Sequence, residues 1–413
     1  MRFIYRICRL VSIFSIKPLI KKTTFLNVLL TDTRKASVQQ KLLSFYSIID
    51  RCLAHGQIIN IIVSVDHKNI ASSRVIYSEC LSDYLCDENF NLLFVAPRSW
   101  VGRFLTIIHV AIYFKRLDGS FAERLNFACL SALARVRIRT FRHIYAALPC
   151  RHWLGLTGGI ELPAFISQRD RFSDGTSINA LQFGQASLEQ KHFSGYKVDS
   201  LFVYDDLSGN IFNSLNMQVG NILVTGSPEL EYYMNRLCNE KLHEEKMLSV
   251  LFVDQPVQQR GEYSAACISK IYAMLRALHD DPEVNLKLKL HPRGSAFDAM
   301  QRIDIPIVQD WSDGLSRAHV VIGFFSNLCD LALHSGRITF YIGSEAILDK
   351  MKTSWVINHG GYVSNDVEFV WRELLTLKER RAELCDKVIS STRLVSYLPS
   401  EIIYKKLVAC SEA

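Results

Sequence analysis

AHVVIGFFSNLCDLALHSGRITFYIG, residues 318–343, decides how the second half of this chain folds. VVIG is a short apolar run closed by Gly323, and Ser326 and Asn327 are residue types that start helices. Asn327 to His334 has helical spacing, Gly336 is placed to end the helix, and RITFYIG is a second apolar run. Strand, helix and strand in so few residues make a βαβ unit. Strands apolar on both faces belong to a parallel sheet covered by helices.

Working outward, the pattern recurs. MLSVLFVDQP (Met247–Pro256) and VNLKLKLHPRG (Val284–Gly294) supply two more strands, and between them Ile268, Ile271, Tyr272, Leu275 and Leu278 share one helix face. Upstream, VDSLFVYDD (Val198–Asp206) and GNILVTGSPEL (Gly220–Leu230) are short apolar segments closing on polar or turn residues. FLNVLLTD (Phe25–Asp32), IINIIVSVD (Ile58–Asp66), NLLFVAP (Asn91–Pro97), HIYAALP (His143–Pro149) and INALQFG (Ile178–Gly184) form a similar series in the first half. Ala36–Cys52, with Val38, Leu42, Phe45 and Ile49 at helical spacing, is predicted as a helix. Two doubly wound α/β domains follow, as the length of 413 residues also suggests.

Composition narrows the function class. Apolar residues at 49% and charged residues at 22% are those of a globular protein, so wholesale disorder is excluded. The 11 cysteines include no CxxC pair and no Cys/His spacing suited to zinc, so reduced thiols and no metal site are expected. A net charge of +7 is too small for a dedicated nucleic-acid binder and points to an anionic ligand or surface. Part of it is concentrated in MRFIYRICRLVSIFSIKPLIKK, where Arg2, Arg6, Arg9, Lys17, Lys21 and Lys22 occur without one acidic residue. As a helix this segment puts Ile4, Ile7, Cys8, Val11 and Phe14 on one side, which suits an anionic membrane surface. It lacks the apolar length of a membrane span and the cleavage site of a signal peptide.

Ligands of open parallel sheets bind beyond the carboxyl ends of the strands, which singles out three loops. In VNLKLKLHPRG, Lys287, Lys289, His291 and Arg293 alternate with Leu286, Leu288 and Leu290. That alternation describes an edge strand with a solvated face, and equally a phosphate site in which Pro292 fixes the backbone beside an imidazole and a guanidinium. In GFFSN, Ser326 or Asn327 caps a helix whatever the function, yet a helix start at a strand end also offers N–H groups to a phosphate. In QFGQAS, Gln182, Gly184 and Gln185 follow a buried strand and are expected to line a cleft between the domains. Asp32, Asp205 and Asp206 are the candidate general bases, set against the plainer reading of solvated acids.

The order VDSLFVYDD, VTGSPEL, LFVDQP, helix, LKLHPRG, VVIGFFSN, helix, RITFYIG resembles the C-terminal half of bacterial surface-polysaccharide transferases. It is similar to the sialyltransferases and polysialyltransferases with a His-Pro motif followed by a serine motif. The CDP-glycerol glycerophosphotransferases of teichoic acid synthesis have a similar layout. This resemblance, over roughly residues 178–345, implies a GT-B-like α/β architecture. It places His291 and Ser326 on the phosphate of a cytidine nucleotide, with Lys289, Pro292, Arg293, Gly323 and Asn327 completing the donor site. The chain departs from both families in one loop. Sialyltransferases carry two acidic residues before a glycine, and teichoic-type enzymes a histidine, where this chain has Gln182, Phe183 and Gly184.

The domains expected are a basic membrane-surface segment (1–24), an acceptor domain (25–215), a nucleotide-sugar domain (216–366) and C-terminal helices (367–413). The expected activity is transfer of a sugar, CMP-activated sialic acid or a related keto sugar, onto a lipopolysaccharide or capsule acceptor, either saccharide or lipid-linked. No cofactor is expected beyond the nucleotide sugar, and no nucleic acid partner. The expected location is peripheral, on the inner face of the cytoplasmic membrane. CDP-polyol phosphotransfer and an inactive scaffold of polysaccharide assembly are the alternatives.

Overall fold

The fold is seen in a computed structural model. It describes residues 11–15, 24–65, 67–97, 148, 150–157, 176–184, 186, 197–215, 217–235, 247–257, 263–291, 305–324, 326–343, 361–380 and 398–412. The chain divides into two compact units, Met1–Pro228 with Pro399–Ala413, and Glu229–Leu398.

The first unit is built on strands β1 (Val11–Ser15), β2 (Thr24–Leu30), β3 (Ile59–Ser64), β4 (Phe90–Pro97), β5 (Cys150–Leu156), β6 (Ser177–Leu181), β7 (Lys197–Val203) and β8 (Gln218–Val224). Their order is β1-β4-β3-β2-β5-β6-β7-β8, parallel throughout except for β1. β2 and β3 are buried along almost their whole length, as continuous apolar runs require. Helices α1 (Lys35–Leu43), α2 (Tyr46–Ala54), α3 (Ile70–Cys80) and α4 (Asp206–Ser214) accompany the sheet.

Several expectations are corrected here. Val11–Ser15 is a strand, not part of an amphipathic helix: VSIFS is rich in β-formers and pairs antiparallel with β4, covering that edge. The rest of the basic opening lies outside the described residues. The single helix over 36–52 is two, broken at Ser44–Phe45. The fifth strand is Cys150–Leu156; of HIYAALP, Leu148 alone falls among the described residues, and its carbonyl accepts from Asn27 Nδ2 at 2.9 Å. Arg151 and His152 hid this strand, since charge in an apolar run reads as a loop. His152 is nevertheless buried, its Nδ1 2.6 Å from Ser177 Oγ and its ring edge-on to Phe25. Burial, aided by the charge of Arg151, lowers its pKa to about 4, so the imidazole is neutral.

Three asparagines cross this sheet in register. Asn27 is level with Asn60, and Asn60 with Asn91. Asn60 Nδ2 donates to Asn27 Oδ1 at 2.8 Å and to Thr24 Oγ1 at 3.1 Å, and Asn91 Nδ2 donates to Asn60 Oδ1 at 2.9 Å. All three are at most 2% exposed. In strands apolar on both faces, a slipped register keeps most apolar contacts, whereas this amide chain forms in one register only.

The second unit contains β9 (Leu248–Val253), β10 (Val284–Lys289), β11 (Val320–Gly323), β12 (Ile338–Ile342) and β13 (Tyr362–Ser364), all parallel, in the order β10-β9-β11-β12-β13. Its helices are α5 (Pro228–Met234), which begins at the unit boundary, α6 (Ala265–Asp280), α7 (Trp311–Arg317), α8 (Asn327–His334) and α9 (Val367–Glu379). α6 buries Ile268, Ile271, Leu275 and Leu278 as its spacing predicts, and Ser264 caps it through Cys267 N–H. β10 is an edge strand, with Leu286 and Leu288 buried and the lysines half-exposed.

The expected domain break at 215/216 moves to 228/229, because β8 pairs with β7 and belongs to the first sheet. The expected C-terminal helices divide: α9 packs in the second unit, whereas α10 (Pro399–Glu412) returns to the first. There Ile403 and Leu407 are buried, Tyr404 stacks on His55, and Glu401 pairs with Arg51 at 3.0 Å.

Candidate functional site

Counted in chain order, the second sheet runs second, first, third, fourth, fifth, so its connections reverse direction between β9 and β11. The crevice beyond the carboxyl ends of two such strands is where doubly wound sheets bind ligands. Val253, Lys289 and Gly323 are level across β9, β10 and β11. Beyond them lie Asp254 and Gln255 after β9, His291 after β10, and the start of α8 after β11. Sequence reading missed Asp254 and Gln255, which are 1% and 8% exposed. Their signal was a polar pair closing the buried strand LSVLFV.

The start of α8 is firmly seated. Ser326 is its cap, with extended backbone and Oγ accepting from Leu328 N–H at 3.3 Å. A β-carbon on Gly323 would lie 2.8 Å from both Cys329 Sγ and Val253 O. Glycine is therefore needed for the helix to approach the strand ends, so Gly323 shapes the site from beneath. Phe324 packs edge-on against Phe252 and Tyr263, and Tyr341 OH donates to buried Asp330 at 2.9 Å. Lys289 Nζ donates to Gln309 O at 3.1 Å, and burial lowers its pKa despite nearby Asp310. His291 is half-exposed. Asn327 opens the helix, but its side chain, like Pro292, Arg293 and Gln185, lies outside the described residues.

The first sheet reverses between β2 and β5. Asp32 follows β2, where Ser37 Oγ donates to its Oδ1 at 2.6 Å and Lys41 Nζ lies 2.6 Å from its Oδ2. Burial alone would raise its pKa, but hydrogen bonds from Lys41 and Ser37, with the charges of Lys41 and Arg34, hold it below the usual carboxylate value. Such a carboxylate is a weak base. Asp205 caps α4, its Oδ1 accepting from Ser208 N–H at 2.7 Å, and Asp206 is exposed at the first helical position. Gln182 is buried at the end of β6, and Gly184 has φ +73° in the left-handed region.

No protein-family model and no curated protein matches this chain. Solved structures do. The UDP-GlcNAc 2-epimerase of Neisseria meningitidis, bound to UDP-GlcNAc, is 11% identical with a TM-score of 0.59, over 94% of this chain and 100% of that one. The UDP-GlcNAc 2-epimerase of Methanocaldococcus jannaschii is 9% identical (TM-score 0.53; 94% and 100%). The glycotransferase of kitacinnamycin is 10% identical (TM-score 0.51; 94% and 99%). Identities this low speak for fold alone, and the fold they share with this chain is the GT-B type of two Rossmann-like parallel-sheet units.

Proposed function

We propose that this chain is a glycosyltransferase that binds a nucleotide sugar at the carboxyl edge of its second sheet and passes the sugar to a bacterial surface saccharide. One observation carries this reading: the chain reversal between β9 and β11 brings a glycine-seated, serine-capped helix start level with the His291 strand end. In this reading His291 and the N–H groups of α8 stabilise the departing phosphate. The preferred donor is a CMP-linked sialic or related keto sugar and the second a CDP-polyol. An inactive scaffold of polysaccharide assembly is kept as well, since Asp32 and Asp205 are engaged in structural contacts.

Calorimetry with CMP, CDP and UDP tests the site. One nucleotide is expected to bind selectively, and His291→Ala to weaken it roughly ten- to a hundredfold, the worth of a charge-assisted hydrogen bond. Equal, unsaturable responses to all three would remove the nucleotide site. That absence of preference is the outcome the scaffold predicts.

The basic opening is proposed to hold the protein at the inner face of the cytoplasmic membrane. Each cation near an anionic surface is worth about 1 kcal/mol. Replacing Arg2, Arg6, Arg9, Lys17, Lys21 and Lys22 by Gln, which leaves β1 intact, should abolish sedimentation with phosphatidylserine vesicles. Unchanged sedimentation would reject the anchor.

A further inference from the structure

Strand β8 reads QVGNILV and carries no charge, and neither does any residue of 207–228. Edge strands are ordinarily kept apart by charge, by shortness or by cover. The other three sheet ends have such protection. β1 is bracketed in sequence by Arg9 and Lys17, and β13 has three residues. β10 carries Lys287 and Lys289, and on its outer side Leu288 bonds to Pro306 O at 2.8 Å and to Val308 N–H at 2.7 Å. β8 has seven residues, and among the described residues no strand pairs with its outer side.

The main chain is open along that side. Thr225 N–H donates to Val203 O at 2.9 Å, so by alternation Val219, Asn221 and Leu223 turn their N–H and C=O groups toward β7. Gly220 and Ile222 turn theirs away from it. Gly220 is exposed, and the surface of a glycine is almost all main chain. Asn221 is exposed as well, with Val219 and Leu223 half-exposed on the same face of the strand.

We infer that β8 is the seam of a two-fold homodimer, pairing antiparallel with β8 of a second copy about Asn221. In this register Gly220 of each copy faces Ile222 of the other, and the outward groups of the two residues exchange both N–H···O bonds. Val219 faces Leu223 on the opposite strand, an apolar pair. The two Asn221 side chains meet on the axis, where a carboxamide can both donate and accept. The strand is thus complementary to its own reverse, as an isologous contact requires. Charge also selects a second copy as the occupant. Chains of net charge +7 repel one another, and they meet at least cost where neither presents a charge, the composition of an interface core.

Sedimentation equilibrium of the full-length chain at micromolar concentration tests this, and should give twice the mass of one chain. Asn221 is exposed, so its replacement spares the fold, while Asn221→Lys or Asn221→Asp sets like charges opposite each other on the axis. Each variant alone should sediment at half the mass of the natural dimer and keep the far-ultraviolet circular dichroism of the natural chain. An equal mixture of the two variants should recover the doubled mass, because Lys then faces Asp. A natural chain that sediments at the mass of one copy overturns the inference. A dimer that survives Asn221→Lys does so too, since its seam lies elsewhere, and a mixture that stays monomeric rejects the two-fold at Asn221.

Discussion

A chain ending at Leu398 is expected to lose the fold of its first unit, although the segment removed follows the whole of the second. α10 buries Ile403, Tyr404 and Leu407 in the first unit, and fully burying a large apolar side chain is worth about 1.5–3 kcal/mol. Three such residues amount to roughly 5–9 kcal/mol, comparable with the whole stability of a typical domain. The Arg51–Glu401 pair, partly exposed, adds little to this. Urea unfolding followed by near-ultraviolet circular dichroism should show the truncated chain unfolded, and Ile403→Asp should approach the same result. Retention of native signal by both variants would mean that α10 is an accessory to the first unit.

Asn60→Leu is expected to cost about 2–6 kcal/mol, because it leaves Asn27 Oδ1 and Asn91 Nδ2 buried without each other's bridge, at about 1–3 kcal/mol apiece. Asn91→Leu orphans only Asn60 Oδ1 and should cost less. The triple replacement of Asn27, Asn60 and Asn91 by Leu should cost less than the sum of the single ones, since removing both partners of a buried bond is far cheaper than removing one. Its register is then held by apolar packing alone. Chemical denaturation of the five chains decides the matter. An additive triple variant, or an Asn60→Leu chain as stable as the natural one, would show that the ladder is incidental.

Much of the fold was legible because parallel strands buried on both faces must be continuous apolar runs, and helices between them must show a 3.6-residue period. Asn327–His334 and the start of α9 at Val367 match the structure residue for residue. The reading failed where that rule has exceptions. β5 carries Arg151 and a neutral buried His152, whose partner Ser177 comes from the next strand. β1 owes its conformation to the edge of β4, a contact distant in sequence.

The site divides along the same line. The loops that hold His291, Gly323, Ser326 and Gln182 could be named from the sequence, since a strand that ends in glycine or in a helix-capping residue has a local signature. Sequence alone thus determined two doubly wound units and the loops at their strand ends. Tertiary structure decided which strands are neighbours, and so where the chain reverses and opens a crevice. It also decided which polar groups already have partners, binding Asp32 to Lys41, Asp205 to Ser208 and Gln182 to Gly184, Tyr204 and Ser208. A carboxylate's readiness to take a proton depends on the groups packed against it, and those arrive from distant parts of the chain.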